Sequence, residues 1–194
     1  MEEQELREQK KTLRRRILAL SEGLDPAERS RADRAIEAAI LESEEWKSAG
    51  AVFSYVSMAD EPDTRGLIEA ALREGKSVFV PRCYPGWVMK AVRIESLDAL
   101  APGTLGIPEP VDDSVCAAPG EIGLALVPCV SASRDGRRLG HGAGYYDRFL
   151  ADRSCRTLCL CYEALLCDEI PIDALDVPMD AVVSEKGIYD CKRS

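Results

Sequence analysis

Hydrophobic residues recur with helical spacing at the start of the chain. Separated by steps of seven, four and three residues, they predict an amphipathic helix over residues 3–21: Leu6, Leu13, Ile17 and Leu20. The opposite face of this helix is basic and carries Arg7, Lys10, Lys11, Arg14 and Arg15. A second helix is predicted from Pro26 to about Leu41, because Asp25 can cap it and Glu28 can complete a capping box.

Short apolar runs alternate with helical patterns in the rest of the chain. We predict helices over 63–75 and 145–151, and strands over 51–57, 77–83, 87–94, 122–131, 156–163 and 180–185. The proline-rich segment 101–121 is interpreted as a long connection. Strands that alternate with helices predict an α/β fold, with a mostly parallel central sheet covered on both faces. A chain of 194 residues is expected to form one domain, 1–194.

The charge and hydropathy of the chain limit the classes of partner that it is expected to bind. A formal net charge of −9 disfavours nucleic acid and anionic membranes, so an anionic ligand needs a local cluster of positive groups. No apolar run approaches the ~20 residues that a membrane-spanning helix needs, and the charged amino terminus lacks a signal core. We therefore expect a cytoplasmic monomer whose partner is a small molecule.

The eight cysteines do not form a metal-binding pattern. There is no C-x-x-C pair, and the one histidine is His141. Cys159 and Cys161 alternate along a predicted strand, which places both on one face. We expect reduced, buried thiols rather than a zinc site. Trp46 and Trp87 are assigned to packing in the core or at its edge.

The strongest chemical signal is the segment 135–148, DGRRLGHGAGYYDR, which follows a predicted strand and opens a helix. Glycines leave backbone N–H groups uncovered, and such groups bind anions. Arg138 can bind phosphate through two parallel hydrogen bonds, and Asp147 offers the hard oxygen ligand that magnesium prefers. The spacing matches neither a Walker loop nor a dinucleotide-binding loop. A phosphate site is predicted, although the glycine spacing alone also fits a surface turn.

Residues 136–148, GRRLGHGAGYYDR, resemble the signature of the 5-formyltetrahydrofolate cyclo-ligase family. The similarity extends through most of the chain. The segment KKTLR at 10–14 resembles the basic amino-terminal helix of the family, and SMADE at 57–61 resembles its folate-side segment. GIPEP at 106–110 and the acidic pair Asp176 and Asp180 match further family segments. Many members have a lysine where Ala143 stands, and some have an aromatic residue where Leu105 stands.

The resemblance implies a three-layer α/β sandwich that uses ATP and Mg²⁺ to convert 5-formyltetrahydrofolate to 5,10-methenyltetrahydrofolate. It implies catalytic roles for Arg138 and Tyr146, and magnesium ligation by Asp147 and Asp176. The implied ATP contacts are Lys10, Lys11, Arg14, Arg138, Leu139, Gly140, His141, Gly142, Ala143, Gly144, Tyr145 and Tyr146. The implied folate contacts are Val56, Met58, Glu61, His141, Gly142, Gly144 and Tyr145.

Each of these residues also has a plainer interpretation. The basic face of the first helix fits a solvated surface, Glu61 fits a loop acid, and Asp176 fits a turn residue before Pro178. Tyr145 fits packing alone, and His141 fits a ligand contact, a general base or neither. Two other functions also remain open, a sugar-phosphate isomerase and a non-catalytic sensor of nucleotide or folate. Magnesium-dependent ATP hydrolysis that requires a formyl-folate separates the three functions.

Overall fold

The computed structural model describes residues 2–152 and 154–191, and the side chains of Glu2 and Leu105 lie outside that description. Its helices are α1 (Glu2–Glu22), α2 (Pro26–Glu42), α3 (Glu44–Ser48), α4 (Arg65–Arg73) and α5 (Tyr145–Leu150). Its strands are β1 (Ala51–Ser54), β2 (Ser77–Tyr84), β3 (Val88–Ile94), β4 (Leu100–Pro102), β5 (Pro108–Pro110), β6 (Leu124–Pro128), β7 (Ser131–Ala132), β8 (Arg138–Leu139), β9 (Arg156–Leu160), β10 (Ala181–Ser184) and β11 (Gly187–Asp190). The side chain of Leu105, which stands where some members of the family have an aromatic residue, therefore lies outside the described part of the chain.

A seven-stranded sheet forms the centre of the fold, in the order β11-β10-β9-β6-β1-β2-β3. The five inner strands run parallel, and the outer strands β3 and β11 pair antiparallel with their neighbours. Helices flank the sheet, with α2 packed on β10, α4 on β2 and α5 on β3. The predicted α/β fold with a mostly parallel central sheet is confirmed.

The burial of each strand follows its place in the sheet. Every residue of β1, β6 and β10 is buried, as expected for strands covered on both faces. The edge strand β3 instead alternates between exposed and buried positions over most of its length. Large side chains with almost no exposed surface fill the core, among them Ile36, Ile40, Trp46, Phe53, Phe79, Leu124 and Leu126.

The sequence predicted most elements but not all their ends. The cap of α2 is confirmed, since Asp25 Oδ1 accepts a hydrogen bond of 2.6 Å from the Ala27 N–H. The strand predicted over 51–57 ends at Ser54, because the chain then turns and the Tyr55 carbonyl accepts a bond from the Thr64 hydroxyl. Helix α3 and the short strands β4, β5, β7, β8 and β11 were not predicted, and β4 and β5 pair within the connection 101–121.

The β2–β3 hairpin ends in a strained turn. Tyr84 pairs with Val88, and the three residues between them are Pro85, Gly86 and Trp87. Trp87 has φ 63°, and within the described residues no other non-glycine residue has a positive φ. This conformation costs a side-chain-bearing residue roughly 1–2 kcal/mol. Trp87 is 58% exposed and contacts the Tyr145 ring from outside the core, whereas Trp46 lies in the core as predicted.

The cysteines are free thiols that differ in burial, and Cys167 is only partly buried. Cys155, Cys159 and Cys161 are buried, as predicted, whereas Cys116 is exposed. A hydrogen bond with Cys129 and burial together raise the pKa of Cys159 well above its usual range. No cluster of three His, Cys, Asp or Glu residues that could hold a metal occurs in the described ranges. No described helix is long and apolar enough to cross a membrane.

Candidate active site

The glycine loop, residues 140–144, joins β8 to α5. Each of its three glycines lies against an arginine side chain, and a Cβ on Gly144 would lie 3.0 Å from Arg148 Nη1. A Cβ on Gly140 would lie 2.7 Å from Arg138 Nη1, which is closer than a side chain tolerates. Gly142 has φ 101°, and a Cβ there would lie 3.3 Å from Arg14 Cζ. The glycines therefore let three guanidinium groups approach a loop whose backbone N–H groups can bind an anion.

The basic face of α1 packs against this loop. Arg14 Nε donates a 2.8 Å hydrogen bond to the Gly140 carbonyl, and burial lowers the pKa of Arg14. Lys10 lies one turn earlier on the same face, and its side chain is only 15% exposed. Lys11 is different, because it is 71% exposed and pairs with Glu8 at 3.6 Å. The solvated-surface interpretation is therefore wrong for Lys10 and Arg14, and it describes Lys11.

Lys10 bridges two carboxylates of the segment before β10. Its Nζ lies 2.5 Å from Asp176 Oδ2 and 2.8 Å from Asp173 Oδ2. Burial opposes the charged ammonium, but the two carboxylates outweigh it and the pKa of Lys10 is raised. The hydrogen bond from Lys10 in turn lowers the pKa of Asp173. Asp173 was not predicted, although its spacing of three residues from Asp176 was a usable signal.

Arg138 and Asp147 form a buried ion pair. Arg138 Nη2 lies 2.8 Å from Asp147 Oδ1, and only 4% of the arginine side chain is exposed. Burial disfavours the charged guanidinium, yet the Asp147 carboxylate outweighs this effect and the pKa of Arg138 is raised. Arg138 Nε is buried without a hydrogen-bond partner within the described chain. This unpaired donor fits a site that gains an anion on binding.

The two predicted magnesium ligands belong to neighbouring ion pairs. Asp147 Oδ1 also accepts a 3.4 Å bond from the N–H of Val177, the residue after Asp176. Magnesium is commonly held by one or two carboxylates together with substrate phosphates, so this donor set fits a metal that arrives with a nucleotide. Asp180 has another role, since its Oδ2 accepts bonds of 2.8 and 3.0 Å from Thr157 N and Oγ1. Asp176, not Asp180, therefore lies beside the basic helix.

The predicted folate-side residues lie next to the glycine loop. Glu61 is 8% exposed, and its Oε2 accepts a 3.0 Å bond from the Met58 N–H. His141 Nε2 lies 3.6 Å from Glu61 Oε1, and both residues line a small pocket. Glu61 lies in a loop and accepts a local hydrogen bond, so the structure is compatible both with a loop acid and with a folate contact. Val56 is buried close to the same segment, whereas Met58 is partly exposed.

The two tyrosines of the signature have different surroundings. The Tyr146 ring stacks on Arg138 Cζ at 5.6 Å and lies 6.3 Å from the Phe53 ring, between their centroids. Burial raises the pKa of Tyr146 well above its usual range, so its hydroxyl stays protonated and can donate a hydrogen bond. Tyr145 instead lies beside Trp87, with 5.7 Å between ring centroids.

Leu139 and Ala143 can offer only their backbone groups. The Leu139 side chain is buried in the core, and its carbonyl accepts a 2.8 Å bond from the Val130 N–H. Ala143 carries no charge, but the Arg148 guanidinium reaches its carbonyl with an Nη2–O distance of 2.5 Å. A positive group therefore lies beside the position where many family members have lysine.

A hydrogen-bond network that the sequence did not predict holds the segment around Glu61. The Tyr162 hydroxyl donates to Asp33 Oδ1 at 2.8 Å and to the Glu61 carbonyl at 3.1 Å. Arg29 Nη1 donates to the Ala59 carbonyl at 2.9 Å. Both Asp33 and Arg29 come from α2, so this helix fixes the backbone that carries Glu61. Such partners lie too far apart in sequence for any local pattern to indicate them.

Comparison with known proteins gives a consistent result. A sequence model of the 5-formyltetrahydrofolate cyclo-ligase family matches residues 6–185. The probable 5-formyltetrahydrofolate cyclo-ligase of Schizosaccharomyces pombe is 32% identical over 77% of this chain and 81% of its own length. The mitochondrial 5-formyltetrahydrofolate cyclo-ligase of Arabidopsis thaliana is 29% identical, over 93% and 75%. The solved structure of Aquifex aeolicus 5,10-methenyltetrahydrofolate synthetase superposes with a TM-score of 0.84 at 29% identity, over 95% and 94%.

Proposed function

This chain belongs to the 5-formyltetrahydrofolate cyclo-ligase family, and we propose that it uses ATP and Mg²⁺ to cyclise 5-formyltetrahydrofolate to 5,10-methenyltetrahydrofolate, releasing ADP and phosphate. One observation carries the ATP-dependent part of this proposal. Lys10 and Arg14 lie on one face of α1, and that face meets the glycine loop beside Asp147 and Asp176. Cations, an uncovered backbone and two carboxylates together are the groups that a magnesium nucleotide requires.

The chemistry explains why ATP is needed. The formyl group is an amide, so its carbon is a poor electrophile and its oxygen a poor leaving group. Transfer of the γ-phosphoryl group to the formyl oxygen remedies both defects. N10 of the folate then attacks the activated carbon and loses its proton, the ring closes, and phosphate departs with the former formyl oxygen. Magnesium, when bound, would neutralise charge on the phosphates of the nucleotide.

The protein contributes positioning and charge. Arg14 and Lys10 would hold the phosphates against the glycine loop, while Asp147 and Asp176 would face the magnesium. Arg138 would stabilise the charge on the transferred group, and the protonated hydroxyl of Tyr146 could donate to it. Glu61 would accept hydrogen bonds from the N–H groups of the pterin, and its burial strengthens such bonds. Fixed placement of both substrates supplies much of the rate enhancement.

One assay separates this function from the alternatives. Purified protein with Mg²⁺ and ATP should release phosphate only when 5-formyltetrahydrofolate is present, and product should appear in equal amount. A sugar-phosphate isomerase would need no ATP, and a sensor would bind without turnover. Phosphate release that ignores the folate would contradict the proposal. A cytoplasmic location stays a prediction, since the Arabidopsis relative is named as mitochondrial. A monomeric state also stays a prediction.

Replacing Arg14 with alanine should weaken ATP binding far more than folate binding. A hydrogen bond to a charged group contributes about 1.5–3 kcal/mol, so the KM for ATP should rise roughly tenfold or more. Arg15→Ala is the matched control, because Arg15 is the adjacent exposed arginine of α1. Lys10→Ala should resemble Arg14→Ala, whereas Lys11→Ala should resemble the control. Equal KM values for ATP in Arg14→Ala and Arg15→Ala would contradict this role for the helix.

Replacing Glu61 with glutamine should weaken folate binding far more than ATP binding, which is the reverse of the effect expected for Arg14→Ala. The amide keeps the shape and can still accept a bond from Met58, but it lacks the charge that would pair with pterin donors. The KM for 5-formyltetrahydrofolate should rise about tenfold to a hundredfold, with the KM for ATP changed less than about threefold. The exposed Glu69→Gln on α4 serves as control. A selective rise in the KM for ATP would remove Glu61 from the folate pocket.

A further inference from the structure

Trp87 occupies a position where a tryptophan is unfavourable for the fold. In three-residue hairpin loops the left-handed position is normally taken by glycine or asparagine. Here it is taken by a bulky side chain with φ 63°, and more than half of that side chain is exposed. An indole that served only packing would be buried instead. Backbone strain of this kind concentrates at ligand-binding elements, which makes the turn a candidate functional element.

The turn lies directly beside the glycine loop. The Trp87 ring faces Tyr145, the first residue of α5, at 5.7 Å and an interplanar angle of 55°. Arg148 connects the two segments, because its Nε donates to the Trp87 carbonyl at 3.2 Å while its Nη2 donates to the Ala143 carbonyl. Helix α5 also packs on β3, which starts immediately after the turn. The indole is thus held at the edge of the site without being covered.

We propose that Trp87 and Tyr145 form an aromatic wall that receives a planar ring of a bound substrate. This inference rests on the proposed function, which supplies such rings in both substrates: the pterin and benzoyl rings of the folate, and the adenine of ATP. Tilted or offset aromatic contacts are favourable beyond the area they bury. The exposed indole gains partner atoms on binding, and this gain accounts for a side chain that the turn itself disfavours.

Steady-state kinetics of hairpin variants test the wall. Trp87→Gly should raise the KM for one of the two substrates about 3- to 10-fold, whereas Trp87→Phe should stay near the wild type. The melting temperature of Trp87→Gly should equal or exceed that of the wild type, because glycine adopts φ 63° without strain. Val88→Ala is the matched control, since it removes exposed apolar atoms from the same hairpin. The substrate whose KM rises is the one whose planar ring contacts Trp87.

Tryptophan fluorescence provides a second test, because ligand binding should not change the emission of Trp87 if its role is purely structural. The chain has two tryptophans, and the other, Trp46, is buried in the core. The wild type is titrated with 5-formyltetrahydrofolate alone and with MgADP alone, and one of the two ligands should quench its tryptophan fluorescence. Neither ligand should quench the fluorescence of Trp87→Phe. Unchanged KM values for both substrates in Trp87→Gly, or quenching that persists in Trp87→Phe, would overturn the proposal. Failure of the proposed function itself would differ, since wild-type protein would then show no folate-dependent phosphate release.

Discussion

Asp147→Asn should lower kcat by about 100-fold or more, because it removes one of the two carboxylates proposed to face the magnesium ion. The substitution keeps the size of the side chain and removes its charge. Asp176→Asn should have a smaller effect, since Asp173 still pairs with Lys10 when Asp176 is neutral. Activity is to be measured over a magnesium titration, and the requirement for Mg²⁺ should shift to higher concentration in both variants.

Asp147→Asn should also reduce the stability of the fold. Asp147 neutralises the buried guanidinium of Arg138. Breaking a buried ion pair costs about 3–5 kcal/mol, and we expect the lower end because asparagine can still accept a hydrogen bond. About 3 kcal/mol corresponds to roughly 6–12 °C in melting temperature for a chain of this size. Thermal unfolding of the purified variant measures this shift.

A double variant separates the two consequences. Arg138→Met together with Asp147→Asn removes the buried charge as well as its partner, so the melting temperature should return towards that of the wild type. Activity should not recover, because neither the carboxylate nor the guanidinium is restored. If the double variant were both stable and active, Asp147 would have only a structural role. If Asp147→Asn alone retained near-normal turnover, the assignment of Asp147 to the metal would be wrong.

The fold was predictable where hydrophobic periodicity extends over several residues. Helices α1 and α2 and the inner strands have long or continuous apolar patterns, and all were predicted. Helix α3 has five residues, too few for a period to be recognised, and a single buried tryptophan holds it in place. Strands β7 and β8 have two residues each, so their pairing depends on the chain around them.

The site was predictable in its residue types but not in its contacts. The sequence predicted one basic face that carries Lys10, Lys11 and Arg14, but Lys11 is rotated by about 100° from Lys10 and is exposed. The contact of Arg14 with Gly140 joins residues 126 positions apart, and no local pattern encodes it. The pairing of Arg138 with Asp147 brings together a predicted phosphate ligand and a predicted metal ligand. In this arrangement the Arg138 and Asp147 charges neutralise each other, so the proposed binding of phosphate and magnesium would rearrange this pair.

The oxygen of the formyl group should finish in the released phosphate, one atom per turnover. This result follows if the formyl oxygen attacks the γ-phosphorus, because the later departure of phosphate breaks the bond between that oxygen and carbon. The structure contains a rival arrangement. His141 lies 3.6 Å from the Glu61 carboxylate, and a histidine oriented by a carboxylate can act as a general base towards water. Activated water would attack ATP directly and place solvent oxygen in the phosphate.

Isotope labelling decides between these two routes. Substrate carrying ¹⁸O in the formyl group should yield phosphate with the full label, and ¹⁸O supplied as water should not appear, as measured by mass spectrometry of the phosphate. Unlabelled phosphate incubated with enzyme in labelled water controls for exchange. His141→Ala should keep the transfer of label even if it slows turnover, because the direct route uses the histidine only to contact ligand. Solvent label in the phosphate of the wild type, lost in His141→Ala, would instead make the protein a folate-stimulated ATPase and contradict phosphoryl transfer to the formyl oxygen.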